Sequence, residues 1–539
     1  MNGRLAALPA DDAARGGRIA LAGLVMALGA CLAVAAPPAG FSPFESPNPP
    51  TPRNRIDELV FRKLQQLDIA PAYPCSDAAF VRRAYLDILG TLPTGFEAQD
   101  FIRDTKPNKR SALVDRLLGR EEFADYWAMK WSDLLRVKAE FPINLWPNAV
   151  QCYHRYLRTA VKQNLPYDRF ARELLTSSGS NFRVGPVNFY RAMQNKDARG
   201  IAQAVALTFM GERAEKWPAE RWEGMAAFFQ QVGYKSTLEW KEEIVFFDPE
   251  LWTNNPTRTA VFPDGKKVQL DPQQDPREVF ADWLITPTNR WFTRNIANRV
   301  WSWLLGRGII HEPDDIRPDN PPSNPELLAC LEQELIGAGY DLKHLYRLIL
   351  NSQTYQLSCV PRSEQAAAEA QFAYYPLRRI EAEVLIDALN QITGTTEKYS
   401  SPIPEPFTFI PENQRAIALG DGSITSTFLE LFGRPARDTG LESERSSRPS
   451  AAQRLHLLNS SHIQRKIEQS RMIEYQTQSK KTPREMATGI YLGILSRFPT
   501  EAELQKLDDY VQKTKVGNRE AAIDLAWALI NSAEFLYRH

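Results

Sequence analysis

Arginines and carboxylates recur together at two places in this chain, and a third arginine stands with polar and aromatic neighbours. Arg378, Arg379, Glu381, Glu383 and Asp387 crowd one helical stretch, and Arg434, Arg437, Glu442, Glu444 and Arg445 crowd a loop. Asn298 and Arg299 stand beside Trp301 in an otherwise apolar helix. Guanidinium and carboxylate groups within reach of one another form charge-assisted, two-pronged hydrogen bonds. Two chemistries follow. On helices such pairs usually bridge layers of structure. Around a shared cleft the same groups would hold an anion or a sugar, and paired carboxylates at a suitable separation hydrolyse glycosides. A second candidate is His311-Glu312-Pro313-Asp314-Asp315 with Asn320, the densest set of oxygen and nitrogen donors. Asp314, Asp315 and Asn320 could hold a hard divalent cation such as calcium, or simply cap a polar loop. Tyr126, Trp127 and Trp131 lie at helical spacing near Asp133 and Arg136. Aromatics there could stack on sugar rings if exposed, but this pattern usually marks core.

Other chemistries are missing. The chain has no Gly-x-Ser-x-Gly, His-Glu-x-x-His or phosphate loop. Of six histidines only His456 and His462 are close, and six apart on one helix they face different sides. Cys75, Cys152, Cys330 and Cys359 are too few for a disulfide framework; Cys330–Cys359 is the nearest pair, and buried free thiols are the alternative. Basic and acidic residues balance at 65 each, which gives no pull toward nucleic acid or anionic lipid.

The elements that must position these residues are mostly helical. Residues 1–36 carry Arg15 and Arg18 ahead of the apolar run "IALAGLVMALGACLAVAA", the pattern of a secretory signal. Leu28-Gly29-Ala30-Cys31 also resembles a lipobox with Cys31 as the lipidated residue, and the run is just long enough for an uncleaved anchor. Each reading places the chain outside the cytoplasm, in the periplasm or at the cell surface, and limits membrane contact to this signal or lipid anchor. Residues 37–53 read as a Pro/Ser-rich tether. From Ile56 apolar residues recur at helical spacing, Ser76 caps a helix that stops at Gly90, and Asp341 caps another. Residues 236–272 break the pattern: "EEIVFF" and "RTAVFPDGKKVQL" are strand-like, with a turn at Asp264-Gly265. The fold class expected is mainly α: helical domains at 54–235 and 273–539, joined by a small β-hairpin insertion or linker. Residues 395–424 read as a long loop.

Several phrases together carry a family resemblance. "FVRRAYLDILGTLPT", "ALVDRLLGREEFADYWAMKWSDLLR" and "NLPYDRFARELL" resemble the domain of unknown function 1549, the planctomycete cytochrome-like family. "DPREVFADWLITPTNRWFTRNIANRVWSWLLG", "YDLKHLYRLILNSQTYQLS", "FLELFGRPARDT" and "DLAWALINSAEFLYRH" resemble its companion, domain of unknown function 1553. The resemblance runs over about residues 54–539 and implies an exported protein. It also implies a Cys-x-x-Cys-His segment after the helix ending in Phe-Met-Gly, and Cys-Glu-Cys-Glu-Arg after the Phe-Gly-Arg-Pro motif. This chain departs from both. Phe209-Met210-Gly211-Glu212-Arg213 passes almost directly to Lys216-Trp217, and the second motif reads Leu441-Glu442-Ser443-Glu444-Arg445. Covalent c-type haem needs two thiols and an adjacent imidazole, so no such cofactor is expected. The reading that follows is a non-catalytic binding or scaffold protein of the cell envelope, engaging another exported protein or a surface polysaccharide. The alternative is a carbohydrate-active enzyme using the carboxylate and arginine clusters.

Overall fold

The computed structural model describes residues 42–252, 258–478 and 481–539. The signal segment and Cys31 lie outside the described residues. From Phe44 the Pro/Ser-rich stretch lies against residues 74–76: the Ser46 N–H donates to the Pro74 carbonyl and the Ser76 N–H to that of Phe44.

The first half of the chain forms α1 (Arg55–Gln66), α2 (Asp77–Leu89), α3 (Gly95–Arg103), α4 (Lys109–Leu118), α5 (Glu121–Leu134), α6 (Pro147–Lys162) and α7 (Tyr167–Thr176). A two-residue strand β1 (Gly179–Ser180) leads to α8 (Ala198–Val205) and α9 (Ala219–Ala226). Ser76 caps α2 as its sequence position predicts, its hydroxyl accepting from the Ala79 N–H. The β segment between the halves is larger than one hairpin. β2 (Val232–Ser236) and β3 (Glu243–Phe247) pair antiparallel, and β1 adds to the far edge of β3. β4 (Arg258–Val261) and β5 (Lys267–Leu270) form the second hairpin. Its turn closes where Asp264-Gly265 predicts: Gly265 takes φ +89° and its N–H reaches the Phe262 carbonyl.

The second half carries α10 (Pro276–Leu284), α11 (Arg290–Leu305), α12 (Pro325–Gly337), α13 (Leu342–Leu350), α14 (Ala367–Ala370), β6 (Arg378–Arg379), α15 (Ala382–Thr393) and α16 (Thr427–Leu431). It ends with α17 (Ala451–Asn459), α18 (Ser461–Glu468), α19 (Arg471–Gln478), α20 (Pro483–Leu495), α21 (Glu501–Thr514), α22 (Asn518–Ile530), α23 (Ala533–Leu536) and β7 (Tyr537–Arg538). Residues 395–424 contain a 3₁₀ turn at Ala416–Ala418 and an isolated antiparallel bridge from Ser400 to Thr425. Among the described residues no helix is long and apolar enough to cross a membrane.

The halves interleave. α1 packs on α12, α4 on α13, and α3 on α20, so one apolar core runs through both. α5 lies at its centre. Trp127 and Trp131 meet Trp303 of α11 at 5.3 and 5.8 Å, and Trp127 meets Tyr346 of α13 at 4.5 Å. Tyr126, Trp127 and Trp131 are buried. Their spacing therefore reads as core, and no face of them is left for a sugar.

Candidate functional site: a buried arginine–carboxylate network

Among the helices that form this core, α5 carries two charged side chains inward, Lys130 and Asp133. They sit three residues apart, so both project from one face. Asp133 accepts from Arg437 Nε at 2.8 Å and from Arg445 Nη2 at 2.7 Å. Arg445 also grips Glu383 at the start of α15, Nη1 to Oε2 at 2.6 Å and Nη2 to Oε1 at 3.0 Å. Arg434 Nε lies 3.4 Å from the same carboxylate. The Glu383 side chain is fully buried. Burial raises both carboxyls, but Arg445, joined by Arg437 at Asp133 and by Arg434 at Glu383, holds them below the usual carboxylate range.

A second group adjoins through Lys130, whose ammonium reaches Glu381 at 2.8 Å. Arg538 of β7 binds the other oxygen of Glu381 and donates to Asp87 Oδ1 of α2 at 2.7 Å. Tyr355 and Tyr375 donate to Asp87 Oδ2 at 2.9 and 2.8 Å, and Arg378 approaches Oδ1 at 3.3 Å. Burial pushes the Glu381 carboxyl up; Arg538 and Lys130 pull it well below its ordinary value. The third group centres on Arg299 of α11. Its Nη2 lies 2.9 Å from the buried Asp314, and its Nη1 3.5 Å from Glu442. The Glu442 N–H donates to Asp314 Oδ2 at 2.6 Å, and Trp303 Nε1 donates to Glu442. Burial keeps the Glu442 carboxyl above its usual range, against the pull of Arg299 and Lys130.

The structure thus gathers Arg299, Arg378, Glu381, Glu383, Arg434, Arg437, Glu442 and Arg445 into linked buried groups. The remaining candidates do other work. Asn298 clamps the backbone of Ile310 through both side-chain atoms. Arg379 donates to the carbonyls of Phe432, Ser446 and Ser447. Glu444 caps the turn at Asp438 and Thr439. The possible cation set does not converge. Asp314 faces Arg299, Asp315 faces Arg317 and Lys216, and the Asn320 amide donates to the carbonyls of His311 and Asp315. Among the described residues no group of three His, Cys, Asp or Glu side chains could hold a metal ion. The four described cysteines, Cys330 and Cys359 among them, are free.

Asp87, Lys130 and Arg538 were not singled out from sequence. Their signal was present: all but the first two residues of α2 are buried, so its Arg82, Arg83 and Asp87 need internal partners.

The two places where the resemblance implies thiols are bridged by one loop and by Arg299. α8 ends in a π-helical turn, Ala206–Met210, and the last carbonyls of that end lack intrahelical partners. Asn295 Nδ2 caps that of Thr208 at 2.8 Å, and Arg299 reaches that of Leu207 at 3.5 Å. Gly211 follows at φ +68°, and its carbonyl accepts from the Ile316 N–H. The loop 313–316 therefore touches Gly211 on one side and, through Asp314, the 441–445 turn on the other. The short charged patch after Gly211 is firmly tied down. Glu212 accepts from Trp217 at 2.7 Å, from Arg221 at 3.0 Å and from Trp291 at 2.5 Å.

These features define a mainly helical protein in which two consecutive segments share one core and are cross-linked by internal ion pairs. Residues 55–232 match the family described as protein of unknown function DUF1549 (PSCyt2), and residues 276–511 match the family described as protein of unknown function DUF1553 (PSD1). No curated protein and no solved structure matches it.

Proposed function

We propose that this protein is an exported, non-catalytic binding or scaffold member of its family. The observation that carries the reading is the state of the charged clusters. Their carboxylates are buried and already engaged by arginines, which suits a structural bridge and leaves little for a substrate. The same pairing speaks against the carbohydrate-active alternative, which needs two carboxyls flanking an open cleft. The chain also lacks the thiols that the family resemblance implies beside Gly211 and at residues 441 and 443. The closeness of those two places supports their having served one metal or haem centre that has lapsed here.

Binding needs a surface, and exposed aromatics supply a candidate. Phe141 is 76% exposed and Phe409 72%, while Phe407 packs its ring 5.3 Å from Trp146. Phe141 and Trp146 belong to one turn, held where Asp421 and Ser423 accept from the N–H groups of Ala139 and Glu140. Phenylalanine offers apolar area without a polar edge, which suits a protein partner better than a polysaccharide. The test is site-specific photo-cross-linking from position 409 in the native envelope. A discrete cross-linked protein, lost on Phe141→Ser with Phe407→Ser, is expected. Cross-linking only to polysaccharide would change the partner class, and turnover of a polysaccharide by the purified chain would overturn the non-catalytic reading.

A further inference from the structure

The histidines six residues apart do not face different sides, because they do not share a helix. α17 ends at Asn459, and Ser460 turns to extended backbone (φ −74°, ψ 137°), serving as both the last cap of α17 and the first cap of α18. The break folds α18 back, and His456 Nε2 comes within 3.3 Å of His462 Nδ1. Behind His462, Glu397 Oε2 accepts from its Nε2 at 2.8 Å. Glu397 is itself fixed by Lys466, which lies 3.1 Å away and also reaches the Thr396 carbonyl and Asn390. The rings of Phe428 and Phe432 wall the histidine pair at 5.7–6.2 Å, and the His462 side chain keeps 31% of its surface open.

A carboxylate only accepts, so His462 carries its proton on Nε2 and turns the lone pair of Nδ1 toward His456. In the ion-free pair His456 fills the gap with Nε2–H. Shifting that proton to its own Nδ1 leaves the ring neutral and turns a second lone pair into the same gap. Two imidazole nitrogens on one tetrahedral zinc, each about 2.0–2.1 Å from the ion, stand roughly 3.3 Å apart. The pair already has this separation, chelation requires only that each ring swing its lone pair off the N···N line, and Glu397 stands where a carboxylate behind a ligating histidine fixes its tautomer and raises its basicity.

We propose that His456 and His462 form a binding site for a borderline divalent transition ion, Zn²⁺ in the first instance, with Glu397 as the positioning carboxylate. Two neutral nitrogen donors favour such an ion over calcium or magnesium. Glu397 points away from the gap, so water completes the coordination, and the ion stays open toward solvent. The site is independent of the Arg/carboxylate network and of the binding role proposed above.

The test uses the full chain without an affinity tag, titrated with Zn²⁺ against a competing indicator, with Co²⁺ absorption reporting geometry. One equivalent is expected in the micromolar range, with Co²⁺ displaced by Zn²⁺ from the same site and a Zn²⁺-dependent rise in melting temperature. His456→Ala and His462→Ala should each weaken binding more than about tenfold, and Glu397→Gln by about 10–100-fold. His456 is half-buried on a short helix, so His456→Ala serves as the deciding variant if His462→Ala fails to fold. No uptake at tens of micromolar Zn²⁺, or uptake unchanged in His456→Ala, overturns the site.

Discussion

Arg445 holds two carboxylates from different helices, Asp133 on α5 and Glu383 on α15. Replacing it by methionine leaves two buried charges without their shared partner, which costs about 3–5 kcal/mol. Lysine should not restore the loss, since an ammonium cannot reproduce the two-pronged contact. Arg484, paired to Glu501 and Asp508 with 44% of its side chain exposed, is the control, and Arg484→Ala should leave the urea midpoint almost unchanged. Urea midpoints of the three variants check the ranking. Asp387 provides a pH prediction. It accepts from the N–H groups of Ala416 and Ile417, yet burial raises its carboxyl to about 6 despite Arg415. A carboxyl raised in the folded state favours folding most below its unfolded value, and that contribution is lost as pH rises through about 6. Asp387→Asn removes the titration. Its stability relative to wild type should therefore improve between pH 4 and 7.5, by up to about 3 kcal/mol. Movement in the opposite direction would refute the assignment. At this scale the arginines and acids around 380 and 440 were legible in the sequence as clusters, but their pairing was not. Asp133 meets Arg437 and Arg445 across some three hundred positions, and helical spacing reports only neighbours on one helix.

Elements announced themselves where local chemistry decides them. Ser76, Asp341 and the Asp264-Gly265 turn act as their types predict. The break at Ser460 was missed because serine in a polar run is also tolerated inside a helix, and only the cap geometry separates α17 from α18. β1 was missed because two residues carry no alternation to read. The connection after α8 bears directly on the proposed loss of a cofactor centre. Inserting the family-type Cys-x-x-Cys-His segment after Gly211, together with Leu441→Cys and Ser443→Cys, should restore haem or metal uptake, read by visible absorption and bound-metal analysis. Absence of uptake in a folded protein would mean the two losses are unrelated.

For the whole molecule, the order of the two family segments and the mainly helical class were legible, whereas the interleaving was not, because apolar patterning shows that a face is buried but not against what. α1, α3 and α4 complete their packing on α12, α20 and α13. Thermal unfolding should accordingly be one transition by circular dichroism and by tryptophan fluorescence, and residues 42–235 expressed alone should stay unfolded; two separated transitions would contradict the shared core. Asp87 gives this architecture a direction in time. It sits in α2, and the side chains around its carboxylate, Tyr355, Tyr375, Arg378 and Arg538, all come from the second half, the last of them from β7. While the chain is being synthesised, the early helices cannot settle this deeply buried acid until residues hundreds of positions later have emerged. Collapse of the early helices alone would leave that acid buried without its partners, a cost that disfavours premature packing.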